Sequence, residues 1–489
     1  MNVLLIVIDD VGKEVIGGTG PGGADLGGAG TYGLPSTPNI DAMIAAGALF
    51  TNFRVAQLCS PTRAACLTGR HPERTGVMDI IRDTHPAVST QPDLQFSEQS
   101  LARCFKASGY ETAIFGKWHL GASKGNDYEK RNPLLHGFDT ACFNAFNLAN
   151  SGRHTIEGTE FREGYYAYPM WFGAEQERSV RTFHTSHVVT MAKRWINSRG
   201  GDWFCYVPFF GAHAPFINNS TTLTAPFAVN VPPVELYDEA TWTDAQNGAD
   251  PDSNPAQVMH AFRAHIEALD TEIGRLLQGI DYTDTLVCLF CDNGSSSTTL
   301  ALEEHPTLGL YTGSHGKDSP YEPGITSPLV LRGPGVSAGI RYEKLASVVD
   351  VFPTLLTLAG CDLPTGVTLD GVSLDAQCAG STAVARTFSF SEWGQPNGIG
   401  VARTALEWAL VGDADGSSTG RYKLIKPMLS GSYEMYDLGS GVTYNPMEAS
   451  NLTPSGSTSG LNAGQLAAYN ALVAEYARLQ ASFLEEQEA

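Results

Sequence analysis

Asn2-Val3-Leu4-Leu5-Ile6-Val7-Ile8-Asp9-Asp10 is a near-continuous run of Val, Ile and Leu that stops at two acids. Without alternation, such a run reads as a strand buried on both faces, as in a parallel sheet covered by helices on each side. Open sheets of this kind place their ligands beyond the carboxyl ends of the strands, which puts Asp9 and Asp10 at that edge. Adjacent carboxylates repel, so a buried pair needs a cation or a proton, whereas a solvated loop pair needs neither. Taken alone, Asp9-Asp10 allows both readings.

Further along, an extended segment over 50–58 leads into Cys59-Ser60-Pro61-Thr62-Arg63-Ala64-Ala65-Cys66-Leu67-Thr68-Gly69-Arg70. Pro61 suits the first turn of a helix, so Cys59 is expected just before a helix whose free N–H groups attract anions. Arg63, one turn on, can return its planar, permanently charged guanidinium to the same corner. Read alone, the cysteine is an activated thiol or a small buried residue. A helix over 98–108 and a strand over 111–115 then end in Gly116-Lys117-Trp118-His119-Leu120-Gly121. Alternation along an extended chain puts Lys117 and His119 on one side.

The same pattern of strand followed by chemical residues recurs twice. A helix over 185–197 and a strand over 203–210 lead to His213-Ala214-Pro215, and a helical stretch over 258–279 and a strand over 284–290 lead to Cys291-Asp292-Asn293-Gly294. Two consecutive oxygen ligands at a strand end suit a hard cation, although Asn-Gly is also a common turn pair. Lys317 follows in Ser314-His315-Gly316-Lys317, ahead of Tyr321-Glu322-Pro323-Gly324, a strand over 327–331 and a helix opening at 349. The glycine-rich stretch 17–33 lacks phosphate-loop spacing and reads as a surface excursion, as does 225–255.

A chain of 489 residues can bury a sizeable core. Its 31 Lys and Arg against 52 Asp and Glu give a net charge of −21, which disfavours nucleic acid and anionic membranes as partners. An anionic substrate would need a locally positive site. No apolar run approaches the roughly twenty residues of a spanning helix. The apolar start lacks a basic leader and a cleavage site, so the sequence as written reads as cytoplasmic, or as periplasmic or secreted if a signal was removed. The 9 cysteines are too few for a disulfide framework, and Cys205, Cys288 and Cys291 read as small buried residues. After about residue 380 short alternating segments and a terminal helix over 462–483 replace the earlier pattern. The expected architecture is therefore an α/β domain over 1–380, with a large mostly parallel central sheet flanked by helices. A smaller antiparallel sheet plus helix subdomain follows over 381–489.

Taken together, these stretches resemble the type I sulfatases, a formylglycine-dependent family of the alkaline phosphatase-like superfamily. The resemblance rests on Ile8-Asp9-Asp10, the string from Cys59 to Arg70, Gly116 to Gly121, His213-Ala214-Pro215, Asp292-Asn293-Gly294, Gly316-Lys317 and Tyr433-Glu434-Met435-Tyr436-Asp437-Leu438 with Asn451-Leu452, in the family's order. It implies a sulfatase that hydrolyses an aryl, carbohydrate or alkyl sulfate, with Cys59 oxidised to formylglycine by a formylglycine-generating enzyme. Ca²⁺, or Mg²⁺ as the alternative, would be bound by Asp9, Asp10, Asp292 and Asn293 beside residue 59. Arg63 and Lys117 would steady the formylglycine hydrate, Lys317 and His213 would contact the sulfate and its bridging oxygen, and His119 would serve the nucleophile. A phosphonate monoester or phosphodiester hydrolase with the same site is the alternative activity, because a diester carries a similar charge. Pro323 and Thr326 depart from the family's usual Gly and Arg. Tyr165, Trp171, His184 and His187 are candidates for the substrate wall, and the oligomeric state is left open.

Overall fold

The apolar run at the amino end forms strand β1 (Asn2–Ile8), buried from Val3 onward. The computed structural model describes residues 1–30, 32–82, 93–121, 132–148, 153–156, 159–162, 165, 168–173, 177–180, 182–214, 255–399, 405–413, 420–428, 431–439 and 444–488. After β1 come helix α1 (Pro38–Ala46), strand β2 (Ala48–Arg54), helices α2 (Cys59–Thr68) and α3 (Leu101–Ala107), and strands β3 (Glu111–Lys117), β4 (Thr140–Asn144), β5 (Tyr168–Phe172) and β6 (Glu177–Val180). Helix α4 (His184–Asn197), strand β7 (Trp203–Pro208), helix α5 (Pro255–Leu277) and strands β8 (Thr285–Cys291), β9 (Thr326–Arg332), β10 (Ile340–Tyr342) and β11 (Ala346–Ser347) follow. Helix α6 (Val351–Leu358), strands β12 (Phe388–Gln395), β13 (Ala405–Gly412), β14 (Tyr422–Lys426) and β15 (Glu434–Asp437), and helix α7 (Ala463–Glu488) complete the elements used below.

Among the described residues the large sheet has 11 strands in the order β10-β2-β9-β8-β1-β7-β3-β4-β5-β6, with β11 also paired to β2. β1 sits between β8 and β7, parallel to both, with Ile8 opposite Cys291 and Val7 opposite Pro208. β3 and β4 extend the parallel set, while β9 and β5 run against their neighbours. The unalternating sequence of β1 follows from this placement. Val3, Leu5 and Val7 pack into one apolar cluster with α2, α3 and α6, and Leu4, Ile6 and Ile8 into another with α1, α4 and α5.

Strands β12 to β15 form a separate antiparallel meander. Its Trp408, Leu424 and Met435 pack with Leu472, Leu479 and Phe483 of α7, and Trp408 stacks on Tyr476 with centroids 4.0 Å apart. All the cysteines are free, and all but Cys361 are buried. No helix among the described residues is long and apolar enough to cross a membrane. The expected loop 225–255 lies outside the described residues except for Pro255, which opens α5. The strand expected to reach residue 210 ends at Pro208, since the next residues turn toward the sheet edge.

A buried ion cluster joins the small sheet to the large one. Arg54 donates to Glu322 through Nε at 3.1 Å and Nη2 at 2.8 Å, Lys423 of β14 lies 3.1 Å from Glu322 and 2.8 Å from Glu448, and Tyr444 Oη donates to Glu322 at 2.7 Å. Burial works against the charge of Glu322, but Arg54 and Lys423 hold its carboxyl low, at about 2. Removing one member of a buried ion cluster leaves the others uncompensated and costs about 3–5 kcal/mol. Glu322→Ala is expected to lower unfolding stability by about that amount in urea titrations; a loss below about 1 kcal/mol would show that the cluster does not join the sheets.

Candidate active site

Four neighbouring parallel strands deliver side chains to one edge of the large sheet. β1 passes into Asp9 and Asp10, β8 into Asp292 and Asn293, β3 ends in Lys117, and β7 turns through Phe209 and Phe210 to His213. Backbone bonds continue past the strands: Asp9 N–H donates to Gly211 O at 3.0 Å, and Asp292 N–H to Ile8 O at 2.8 Å. Gly116 is required next to Lys117, because its φ is 128° and a Cβ there would lie 2.0 Å from Pro208 O. Gly294 is required beside Asn293, where a Cβ would lie 1.7 Å from the carbonyl of Pro323. Cys59 is the first residue of α2, whose opening is capped by Leu58 and contains Pro61.

These elements bring the side chains into contact. Lys317 Nζ lies 2.6 Å from Asp10 Oδ1 and 3.4 Å from Cys59 Sγ, and the thiol lies 3.6 Å from Asp9 Oδ1. Lys117 donates to Asp9 Oδ2. Arg63 gives Asp292 Oδ2 two bonds, at 3.0 and 2.7 Å, and reaches Asp9 Oδ2 at 3.4 Å. Its Nη1 donates to the Lys117 carbonyl at 3.1 Å, which ties the helix to the end of β3. Asn293 Nδ2 donates to Asp10 Oδ1 at 2.7 Å, while Asn293 Oδ1 is buried with no hydrogen-bond partner. His213 Nε2 lies 3.6 Å from Asp10 Oδ2, and ligand atoms of Asp9, Asp10, Cys59 and His213 all lie within 4.8 Å of one another, a group that could hold a metal ion.

The electrostatics follow from burial set against these contacts. Burial opposes the charge of Asp9, yet Lys117, His213, Arg63 and Lys317 hold its carboxyl well below the usual range. Burial and the neighbouring Asp9 push Asp292 up, to about 6. Burial lowers Lys317, but Asp10, Cys59 and Asp9 together outweigh that cost and raise it well above its ordinary value. Burial, reinforced by the charge of Asp9, pushes the Cys59 thiol up to about 12. Burial lowers both His213 and His119, with Lys117 and Arg63 adding to the effect at His119. A neutral His119 carries one ring proton. Its Nε2 lies 3.0 Å from Ile81 O, which can only accept, so the proton is on Nε2 and the buried, unpartnered Nδ1 is bare.

All of the residues expected at the site from sequence meet at this edge, with some differences in arrangement. His213 joins the cluster of potential metal ligands, whereas Asp292 turns Oδ2 to Arg63 and accepts Asp10 N–H on Oδ1 at 3.4 Å. The extended run ends at Lys117, because His119 takes a left-handed backbone (φ 57°); its place in the site comes from the Ile81 bond rather than from alternation. Pro323 and Thr326 leave Lys317 in contact with Asp10. The proposed substrate wall is corrected for its described members. Tyr165, Trp171 and His184 are buried in packing contacts, and His187 is half-buried beside Phe172 and Tyr168. Tyr165 braces the His213 turn instead, its hydroxyl lying 2.8 Å from the carbonyls of both Phe210 and His213 with one proton shared between them. Asn293 is fully buried. Sequence reading missed Ile81 and Ser60; Ile81 acts through its backbone, which leaves no mark on residue type.

The profile of the sulfatase family matches residues 1–361. The human N-acetylgalactosamine-6-sulfatase (Homo sapiens) is 31% identical over 397 residues, covering 76% of this chain and 65% of its own length. The steryl-sulfatase of Rattus norvegicus is 30% identical over 426 residues, covering 76% and 69%. The chain spans 65% of the length of the N-acetylgalactosamine-6-sulfatases from human, pig (Sus scrofa) and dog (Canis lupus familiaris) that it matches. Its fold is that of a structure solved with its substrate D-glucosamine-2-N,6-O-disulfate, at a TM-score of 0.64 and 18% identity over 100% of this chain and 96% of that one. It is also that of a sulfatase from Pseudoalteromonas sp., at a TM-score of 0.62 and 19% identity over 98% and 90%. With the strand-end residues in this arrangement and the profile covering the whole α/β region that carries them, the chain belongs to the sulfatase family.

Proposed function

We propose that the chain is a sulfatase that hydrolyses a sulfate monoester at the corner formed by Cys59, Arg63, Lys117, His119, His213 and Lys317. Asp9, Asp10, Asp292 and Asn293 beside residue 59 would hold a divalent cation. The observation that supports this most is the position of Cys59, wholly buried at the start of α2 with its sulfur 3.6 Å from Asp9 and 3.4 Å from Lys317, inside the group of side chains that could hold a metal ion. Maturation by a formylglycine-generating enzyme is part of the reading.

The donor set fits a hard cation, three carboxylates and the unpartnered Asn293 Oδ1 being oxygen ligands of the kind Ca²⁺ takes, with Mg²⁺ the smaller alternative. Such an ion and formylglycine at position 59 would supply positive charge toward the sulfate and a hydrate hydroxyl as nucleophile. The chain's own residues supply the remaining functions. Arg63 and Lys117, wholly buried, fix the carboxylates of Asp9 and Asp292 and counter their charge. Lys317 and His213 are 15% and 16% exposed, in keeping with an entrance side at which the ester would arrive. There Lys317 offsets charge on the sulfate, and His213 with Lys317 delivers a proton to the departing alcohol. His119, with Nδ1 bare, accepts a proton inside the site. The relatives are named for a sugar sulfate and for steryl sulfate, so the shared core does not select the alcohol; a sulfated saccharide or another sulfate ester is the substrate class. The reading assigns the catalytic unit to 1–380 and a smaller unit to 381–489.

In protein whose Cys59 is unconverted, iodoacetamide at pH 8 is expected to label the half-buried Cys361 well before Cys59, as read by peptide mass spectrometry. Rapid alkylation of Cys59 would show that the thiol is open to solvent and would overturn its placement in a buried corner. Cys59→Ala is expected to keep the fold by circular dichroism while turnover falls at least about a thousandfold. The deciding assay compares p-nitrophenyl sulfate, sugar sulfates, a phosphodiester and a phosphonate monoester in the presence of Ca²⁺. Sulfate release is expected to dominate, and preferential cleavage of the phosphorus esters would replace the sulfatase reading with its rival.

A further inference from the structure

Segment 77–82 has no regular secondary structure after the short helix Pro72–Thr75 and the turn at Gly76, yet Ile81 uses both of its backbone groups at the site. Its N–H donates to Ser60 Oγ, next to Cys59, at 3.1 Å, and its carbonyl accepts from His119 Nε2 at 3.0 Å. One peptide residue therefore touches both the start of α2 and the imidazole that the proposed function assigns to proton transfer. A segment without a ladder of its own must be held from outside.

The holding groups come from the small sheet. Asn397, fully buried just beyond β12, accepts on Oδ1 from the N–H groups of Met78 at 2.8 Å and Asp79 at 2.7 Å, and its Nδ2 donates to Asp79 O at 3.2 Å. The Asp79 carboxylate, itself buried, accepts from Trp393 Nε1 at 2.9 Å and Gln395 Nε2 at 2.7 Å. Gly398 N–H donates to Gly76 O at 2.8 Å, and Gly394 N–H to Met78 O at 3.4 Å. Residues 393–398 thus act as a splint for 76–79, immediately before Ile81.

We propose that Asn397, with Trp393 and Gln395 bonded to Asp79, is a positioning residue of the active site. It holds the Ile81 carbonyl where that oxygen keeps the His119 proton on Nε2 and leaves Nδ1 free to accept one. The catalytic part of this inference rests on the sulfatase reading, whereas the ring-proton part does not. The small sheet would then set the protonation geometry of a histidine in the large domain through a backbone relay.

The test uses the full chain with ¹⁵N-labelled histidine, the His119 ring being assigned by comparison with His119→Gln. The wild-type ring is expected to show a protonated Nε2 and a bare Nδ1. In Asn397→Ala the ring is expected to become a mixture of tautomers, while kcat on p-nitrophenyl sulfate falls about tenfold and KM stays within about twofold. Trp393→Phe, which removes one donor to Asp79 and keeps an aromatic ring, is expected to fall between the two. Leu424→Val weakens the same sheet away from the splint and is expected to leave the ring signals unchanged. A wild-type proton on Nδ1 would overturn the inference. So would wild-type ring signals and kcat in folded Asn397→Ala and Trp393→Phe, or an equal shift in Leu424→Val. If the wild type turns over no sulfate ester, the sulfatase reading fails while the ring signals still decide the splint.

Discussion

Carboxylates gathered in a low-dielectric corner cannot all stay ionised unless positive charge is brought in with them. Asp9, Asp10 and Asp292 are gathered in this way because β1 and β8 are adjacent and in register, with Ile8 opposite Cys291. The compensating cations come from elsewhere: Arg63 from α2, Lys117 from the end of β3 and Lys317 from the segment before β9. Much of the topology serves this balance. A sheet with β3 or α2 displaced would leave carboxylates without partners, so the fold and the charge arrangement stabilise each other.

A second charge cluster, around Glu322, plays the corresponding part between the two sheets. Glu322 lies in the turn that follows Lys317, and its partners Arg54, Lys423, Glu448 and Tyr444 come from both parts of the chain. The small sheet therefore reaches the site from two sides: through Glu322 toward Lys317, and through residues 393–398 toward Ile81. The loop in which Pro323 and Thr326 replace the family's usual residues is fixed by this cluster, so its altered composition leaves Lys317 on Asp10 and beside Cys59.

How much of this could be read from sequence depended on the kind of signal. β1 was legible because burial on both faces removes alternation, and its two terminal acids marked the carboxyl edge of the sheet. Cys59, Arg63, Lys117, His213 and Asp292 were legible because residue type and a strand end or helix start coincide at each of them, whereas Lys317 was reached only through the family resemblance. Tyr165, Trp171 and His184 were misplaced because an aromatic that lines a pocket and one that packs a core have the same sequence signature; burial separates them, and burial is a tertiary property. The left-handed turn at His119 hid the true reason for its place in the site. Ile81 left no trace at all, since a carbonyl oxygen is common to every residue and only its neighbours give it a role.

The position of β1 also imposes an order on the chain's emergence. β1, made before either of its partners, lies in the middle of the sheet, and β7 and β8 pair with it through Val3 opposite Phe204 and Asn2 opposite Thr285. During synthesis it must wait for both, because contacts so far apart in sequence close late. The middle of the large sheet is thus completed only once residue 291 has emerged, and until then β1 lacks one of its two neighbours.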